Sequence, residues 1–426
     1  MTRMKDSGIK WIGEVPEEWG IKKLSQFFSE HKLKNLGNIE QNLLSLSYGK
    51  IVRKSIKSSV GLLPESFETY NIIDSNDIVL RLTDLQNDKR SLRTGLANER
   101  GIITSAYLTI RLIDGNDSAK YYHYLLHSYD KCKVFYNFGG GVRQGGTWDD
   151  LSVLKMIAPP KDEQTKIADF LDKKVAQLDE VKSLLEEQIK TLEDYRQSLI
   201  YETVTKGLDK TVPLKDSGVD WIGQIPEGWG VGKLKYYFDV QLGKMLQPSA
   251  INGNDIEIDY LRAINVQWDN ISVDNLSKMW CNPSEVSKYE IMNGDLLVCE
   301  GGEVGRCGIV EYLSDRAIIQ NAVHRIRSAE RANVRFLNYY IQHTTKSKWF
   351  DILCNKATIA HLTSEKLLNT LVVLPSISEQ IQIADFLDKK TEQINQMIAI
   401  KKEQIENINK QRQTLIYDVV TGKRRI

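Results

Sequence analysis

Two short runs carry side chains whose types suit the flat edge of a nucleic-acid base. NFGGGVRQGGTW (137–148) sets Arg143, Gln144 and Thr147 among glycines. CNKATIAHLTSEK (354–366) offers Asn355, Lys356, Thr358 and His361. A guanidinium or ammonium matches the O6 and N7 acceptors of guanine, and a carboxamide matches N6 and N7 of adenine. Glycines let a backbone approach a groove closely. Each run follows a pair of lysines, Lys131 and Lys133 or Lys346 and Lys348, which are suited to phosphate. A third candidate is YLRAINVQW (260–268), in which Arg262, Asn265, Gln267 and Trp268 alternate as along a strand. Gln320, Asn321 and His324, the basic stretch Lys50, Arg53, Lys54 and Lys57, and Arg81 and Arg93 have the same chemistry with less pattern. The plain alternative for every one of these is a connecting loop or a solvated face.

Motifs that carry catalysis fail on spacing. No GxxxxGK[ST] phosphate loop occurs, and neither GGGVRQGG (139–146) nor GGEVGRCG (301–308) fits GxGxxG. Asn282-Pro283-Ser284 lacks the second proline and the aromatic of an amino-methyltransferase NPPY and reads as a loop. There is no HExxH, and the 6 histidines show no metal spacing. An enzyme built on Glu300, Glu303 and His324 has no recognisable constellation behind it. The 5 cysteines are odd in number and widely spaced, which predicts neither disulfides nor a zinc ribbon and fits a reducing cytoplasm. No membrane helix or secretory signal is expected. The formal net charge of +1 is neutral on nucleic acid, although residues 21–155 hold 19 Lys+Arg against 14 Asp+Glu while 231–372 hold 16 of each.

The elements that position these residues come in duplicate. KDSGIKWIGEVPEEWGIKKL (5–24) and KDSGVDWIGQIPEGWGVGKL (215–234) share 13 of 20 positions. EQTKIADFLDKK (163–174) matches EQIQIADFLDKK (379–390), and across 163–205 and 379–421 there are 21 identities in 43. Fainter matches join SNDIVLRL (75–82) to NGDLLVCE (293–300), and YYHYLLHSYDKCKVF (121–135) to FLNYYIQHTTKSKWF (336–350). A shared framework with different side chains between its fixed points is what two ligand specificities on one scaffold require, and neutral drift is the alternative.

The end of each copy predicts a long helix. Pro159-Pro160 and Pro375 stop a strand-like run, and Asp162 and Ser378 are candidate N-caps. Neither Gly nor Pro follows until Gly207 and Gly422. Leu171, Leu178, Leu185, Leu192 and Leu199 recur every seven residues, with Ala168, Val175 and Ile189 at alternate positions. Leu387, Ile394, Ile408 and Leu415, broken by Lys401, and Thr391, Ile398, Ile405 and Val419 form the second seam. Such narrow, long seams predict a coiled coil, pairing the two helices antiparallel. The leaders, with Trp11, Trp19, Trp221 and Trp229, read as apolar straps packing each variable region onto this rod; base stacking is the alternative.

The leader, the strand–proline–EQxxIADFLDKK passage and their duplication resemble the specificity subunit of type I restriction–modification systems over nearly the whole chain. The resemblance implies an α+β protein with an internal pseudo-twofold repeat, in which two α+β target-recognition domains are joined by two long helices forming an antiparallel coiled coil. The corresponding segments are 1–160, a leader and first domain; 161–210, a central helical spacer; 211–376, a leader and second domain; and 377–426, a C-terminal spacer. It further implies a non-catalytic, cytoplasmic subunit for defence against phage. Such a subunit reads a bipartite, asymmetric site in double-stranded DNA and docks two methyltransferase subunits and the restriction (translocase) subunits. No cofactor is expected in this chain; the assembled complex would use S-adenosylmethionine, and ATP with Mg2+ for restriction. On this reading the rod sets the distance between half-sites, about one helical turn (~34–36 Å). A coiled-coil adaptor with two protein-binding ends is the rival reading.

Overall fold

The computed structural model describes residues 3–55, 66–85, 92–139, 145–329, 332–354 and 361–426. They form two compact units, Met1–Leu185 with Lys402–Ile426, and Glu186–Lys401. Two continuous helices, Lys161–Lys206 and Ile377–Val420, each contribute one stretch to each unit. At 1.5 Å per residue they are roughly 69 and 66 Å long.

In the first unit the two helices run antiparallel. Glu163 pairs with Arg425 at 3.0 Å, and Asp179 with Arg412 at 3.6 Å, so rising numbers on one side meet falling numbers on the other. Ile167, Ala168, Leu171 and Val175 bury in one core with Ile416, Val419 and Val420. The second unit repeats the arrangement: Ile200 and Val204 share a core with Ile383 and Leu387, while Lys401 Nζ donates to Gln188 Oε1 at 2.6 Å. The break in the apolar row at Lys401 is thus met by a polar partner. Leu178, Leu185 and Leu192 are only half-buried, as a two-helix seam requires.

The helix starts differ by a residue or two from the sequence expectation. The helices begin at Lys161 and Ile377, so Asp162 and Ser378 lie inside the first turn. Glu379 N donates to Ser376 Oγ at 3.3 Å, and Glu163 N and Gln164 N donate to the Pro160 carbonyl. A backbone carbonyl ahead of a proline-started turn does at Pro160 what a side-chain cap does elsewhere.

The glutamate, the glutamine and the second aspartate of EQxxIADFLDKK have structural tasks that are repeated in both units. Glu163 Oε2 accepts from Trp19 Nε1 at 2.9 Å, and Glu379 Oε2 from Trp229 Nε1 at 3.0 Å. Gln164 accepts from Ser118 N and donates to the Pro159 carbonyl; Gln380 accepts from Asn333 N and donates to the Pro375 carbonyl. Asp172 accepts from Tyr124 Oη at 2.9 Å, and Asp388 from Tyr339 Oη at 2.8 Å. Trp19 is fully buried and Trp229 nearly so, which makes these leader tryptophans core and removes them from base stacking. Burying an indole removes about 150–250 Å² from water, worth about 4–6 kcal/mol at ~25 cal/mol per Å². The hydrogen bond to the carboxylate adds about 1.5–3 kcal/mol, so packing holds the strap and the bond sets its register.

Both units build the same four-stranded antiparallel sheet. In the first the order is Phe28–Glu30, Leu108–Leu112, Ile78–Leu80, Thr94–Leu96; in the second, Phe238–Leu242, Val323–Ser328, Leu296–Cys299, Cys307–Ile309. The first unit adds the pair Asn71–Ile73 and Gly101–Ile103. The second adds a three-stranded sheet in which Ile256–Leu261 lies parallel to Ala317–Ile319 and antiparallel to Ser277–Cys281. The expected single helix is present in each, Ala119–Lys131 and Val334–Lys346, but shorter helices join it. These are Trp148–Ser152 in the first unit and Pro283–Tyr289, Trp349–Leu353 and Ser364–Leu368 in the second. Asn282-Pro283-Ser284 is therefore a helix start, capped by Asn282 with proline at the first helical position, and not a plain loop.

Both long helices end on a glycine in the left-handed region, Gly207 (φ +72°) and Gly422 (φ +74°). A Cβ on Gly422 would stand 2.5 Å from Pro16 Cδ and 3.0 Å from the Trp19 ring. Gly422→Ala is expected to cost at least about 1 kcal/mol, since strain at positive φ and the clash act together. A urea-unfolding midpoint equal to that of the parent chain would contradict this packing.

Candidate nucleic-acid interface

The tips of both candidate loops, Arg143 and Gln144 in one and Asn355, Lys356 and Thr358 in the other, lie outside the described residues. Their flanks are described. Thr147 is exposed and caps the helix Trp148–Ser152, its Oγ1 and backbone N both meeting the Asp150 carboxylate at 2.9 Å. Beside it opens a cavity of about 380 Å³ lined by Lys32, Lys34, Gly146, Thr147 and Trp148 among others. Lys32, Lys34 and Trp148 were not singled out from sequence. Lys32 and Lys34 lie far from Trp148 in the chain, and no local pattern links them. His361 is exposed and its ring sits near the Gly301 backbone, 3.5 Å from where a Cβ there would be.

The lysine pairs take equivalent places after equivalent helices. Lys131 and Lys346 are the last helical residues, and Lys133 (φ +61°) and Lys348 (φ +62°) both adopt the left-handed region. Lys133 Nζ lies 4.4 Å from the Tyr136 ring centroid, and Lys346 Nζ 4.6 Å from that of Trp268. Partial burial pulls the Lys131 ammonium below its ordinary pKa.

YLRAINVQW does not alternate along one strand. Ala263–Asn265 is a single 3-10 turn, followed by a two-residue strand, Val266–Gln267. Asn265 Oδ1 accepts from Arg262 N at 3.0 Å, and its Nδ2 donates to the Ser272 carbonyl at 3.2 Å, so its carboxamide braces this turn. Arg262 is exposed, with its guanidinium 6.0 Å from the Tyr260 ring centroid.

Several weaker candidates have structural work. Arg93 is fully buried, and its guanidinium donates to the carbonyls of Arg81, Thr83 and Asp84 at 3.1, 2.7 and 3.3 Å. Arg53 is held by Glu99, and Lys50 by Asp179. His324 is buried with Nε2 2.7 Å from the Leu362 carbonyl, and burial lowers its pKa. Glu303 receives Trp268 Nε1 at 2.9 Å and an ion pair from Arg306, so Glu300, Glu303 and His324 do not form one cluster of free groups. The histidine–carboxylate group His31, Asp74 and Asp77 comes together within 4.8 Å. Arg111 binds both of its carboxylates, at 2.8 and 2.6 Å, and Arg100 binds Asp74 at 2.8 Å, which makes it an ion-pair network. Among the described residues no helix is long and apolar enough to cross a membrane.

These units define a duplicated recognition scaffold: two copies of one α+β frame, each closed by the same pair of helices, with exposed and divergent side chains between fixed points. The model for the type I restriction modification DNA specificity domain matches residues 16–192 and again 226–408. The chain belongs to this family, a specificity domain and not a catalytic one. It is 24% identical over 424 residues to the type I restriction enzyme MjaVIII specificity subunit of Methanocaldococcus jannaschii, covering 97% of this chain and 94% of that one. It is 28% identical over 259 residues to the type I restriction enzyme EcoBI specificity subunit of Escherichia coli, which is 57% of this chain and 54% of that one. The fold matches the HsdS subunit of Thermoanaerobacter tengcongensis with a TM-score of 0.53 at 16% identity, covering 96% and 98% of the two chains. A chain from a study of complex assembly and conformational transition of the type I R-M system gives 0.71 at 16% identity, covering 96% and 99%.

The buried role of Arg93 separates it from the exposed candidates. Arg93→Ala is expected to lower stability by about 3 kcal/mol, because three part-buried carbonyls lose their donor and a buried side chain is removed. Arg262→Ala should stay within about 0.5 kcal/mol. Equal unfolding midpoints for the two variants would overturn the distinction.

Proposed function

We propose that this DNA-specificity protein reads a bipartite, asymmetric site, with the region 1–160 reading one half and 211–376 the other. The segments 161–210 and 377–426 act as the spacer between them. The observation that carries this reading is the double match of one specificity-domain family to a chain whose two copies keep their frame and differ in their exposed side chains. Phosphate contacts from Lys131, Lys133, Lys346 and Lys348 would set register. Arg143, Gln144 and Thr147 in the first region, and Arg262, Asn355, Lys356, Thr358 and His361 in the second, would reach base edges. Asn265 would act by bracing the Arg262 turn. The chain directs methyltransferase subunits that bring S-adenosylmethionine, and a restriction subunit that uses ATP with Mg2+. Its place of action is the cytoplasm.

A gel shift of the chain with its methyltransferase partner on a mixed DNA pool is expected to select one site, with affinity falling steeply as salt rises. Retention that is salt-insensitive and indifferent to sequence would favour the adaptor reading. Spacer length has its own test. Removing one opposed heptad from each helix shortens the pair by about 10 Å, or about three base pairs at 3.4 Å each. The methylated motif should lose about that many spacer positions while keeping both half-sites, and an unchanged spacer would refute the role.

A further inference from the structure

Corresponding residues in the two units face corresponding space, and only the second unit fills it with a carboxylate carried on its hairpin tip. There a hairpin, Val266–Gln267 paired with Asn270–Ile271, turns at Trp268-Asp269, with Asp269 at φ +59°. The Asp269 carboxylate accepts from Arg196 and from Gln342 Nε2. In the first unit the matching hairpin, Leu44–Ser47 paired with Lys50–Arg53, turns at Tyr48-Gly49. The match is topological. Each hairpin lies on the outer strand of the four-stranded sheet at a glycine, where a Cβ would come within 2.5 Å of Leu46 (Gly95) or 3.1 Å of Asn270 (Gly308). The repeat itself supplies the remaining correspondences: Arg412 in RQTLIY for Arg196 in RQSLIY, and His127 and Lys131 for Gln342 and Lys346.

Gly49 therefore stands where the second unit carries a carboxylate. In the first unit that space is a cavity of about 660 Å³, lined among others by Tyr48, Lys50, His127, Lys131, Lys182 and Arg412. Its lining includes four Lys or Arg side chains and one carboxylate, Asp179, which Lys50 at 3.2 Å and Arg412 at 3.6 Å already share. His127 is 6% exposed and its buried Nε2 has no hydrogen-bond partner, nor has the buried Nδ1 of His123 on the same wall. Buried polar nitrogens are normally partnered. Burial holds both imidazoles neutral, at about 3 for His127 and about 4 for His123, so each is able to present an N–H without adding charge.

We propose that this cavity is an oxyanion site that takes a phosphate group, with Arg412 and His127 contacting it as Arg196 and Gln342 contact the Asp269 carboxylate. Lys50, Lys131 and Arg412 in the lining outnumber its one carboxylate, which suits a phosphate, and the volume admits one. The phosphate belongs either to a free small solute or to a DNA phosphodiester, and the site does not depend on which. It is therefore separable from the base-reading loops.

Calorimetric titration of the full chain with inorganic phosphate tests it. The expected result is one phosphate per chain, with binding at least about tenfold weaker in Arg412→Gln, where a charge-assisted donor is lost. Gly49→Asp transplants the carboxylate of the second unit onto the hairpin tip, at a φ of +79° and with Leu92 3.0 Å from the new Cβ, so a loss of stability, read as a lower melting midpoint, is expected with it. It should abolish phosphate binding while the melting curve stays cooperative, and it keeps the test decisive if Arg412→Gln folds poorly. No binding at millimolar phosphate, or binding unchanged in Gly49→Asp, overturns the proposal. Competition with a duplex oligonucleotide lacking terminal phosphates assigns the source. Displacement of phosphate marks a phosphodiester, and independent binding marks a free solute.

Discussion

The leader tryptophan buried against the first turn of a long helix is the contact on which the rest depends. Trp19 with Glu163 and Trp229 with Glu379 lock the start of a helix to the strap that opens the same unit. The neighbouring glutamine then ties the same turn to the N-terminus of the domain helix, at Ser118 or Asn333. About two turns further on, the aspartate receives a tyrosine of that domain helix. The variable part of each unit is thus held at three points within about three helical turns. Its remaining surface is left to diverge without loss of the frame.

The frame was legible because its contacts are local to dense motifs and are written twice. A heptad seam announces a helix, and a proline pair announces where it begins. Part of the identity of KDSG…WIG…PE…WG and EQxxIADFLDKK in both copies reflects shared tasks, those of the second tryptophan, the glutamate, the glutamine and the second aspartate. The helix starts were misplaced because Ser376 and the Pro160 carbonyl do the capping, and a carbonyl has no sequence signature. YLRAINVQW misled for a related reason. Its alternation of polar and apolar residues imitates a strand, but Asn265 closes a tight turn across Arg262 and Ser272.

The candidate site was legible only in chemistry. Arg93 and His324 have the right side chains for base contact, yet both are buried and bonded to backbone carbonyls, and burial is a long-range property that no local pattern shows. The reverse also held. Lys32, Lys34 and Trp148 meet around Thr147 only because the sheet and the capped helix bring distant segments together. Asp269, which gives only one of the two hairpin tips a carboxylate, was hidden because the spacing between the copies changes ahead of the hairpins. Only the shared sheet order reveals that Gly49 is its counterpart.

Duplication with divergence explains why one chain carries two recognition surfaces without carrying catalysis. Each surface inherits the same supports and is free to present different donors. The most direct measurement of that claim is to map methylated adenines in DNA from cells carrying the chain and its methyltransferase. The map would be made before and after residues 21–155 are exchanged for the matching segment of a relative with a different site. The account predicts that one half-site changes while the other half and the spacer stay. A change in both halves, or in neither, would contradict it.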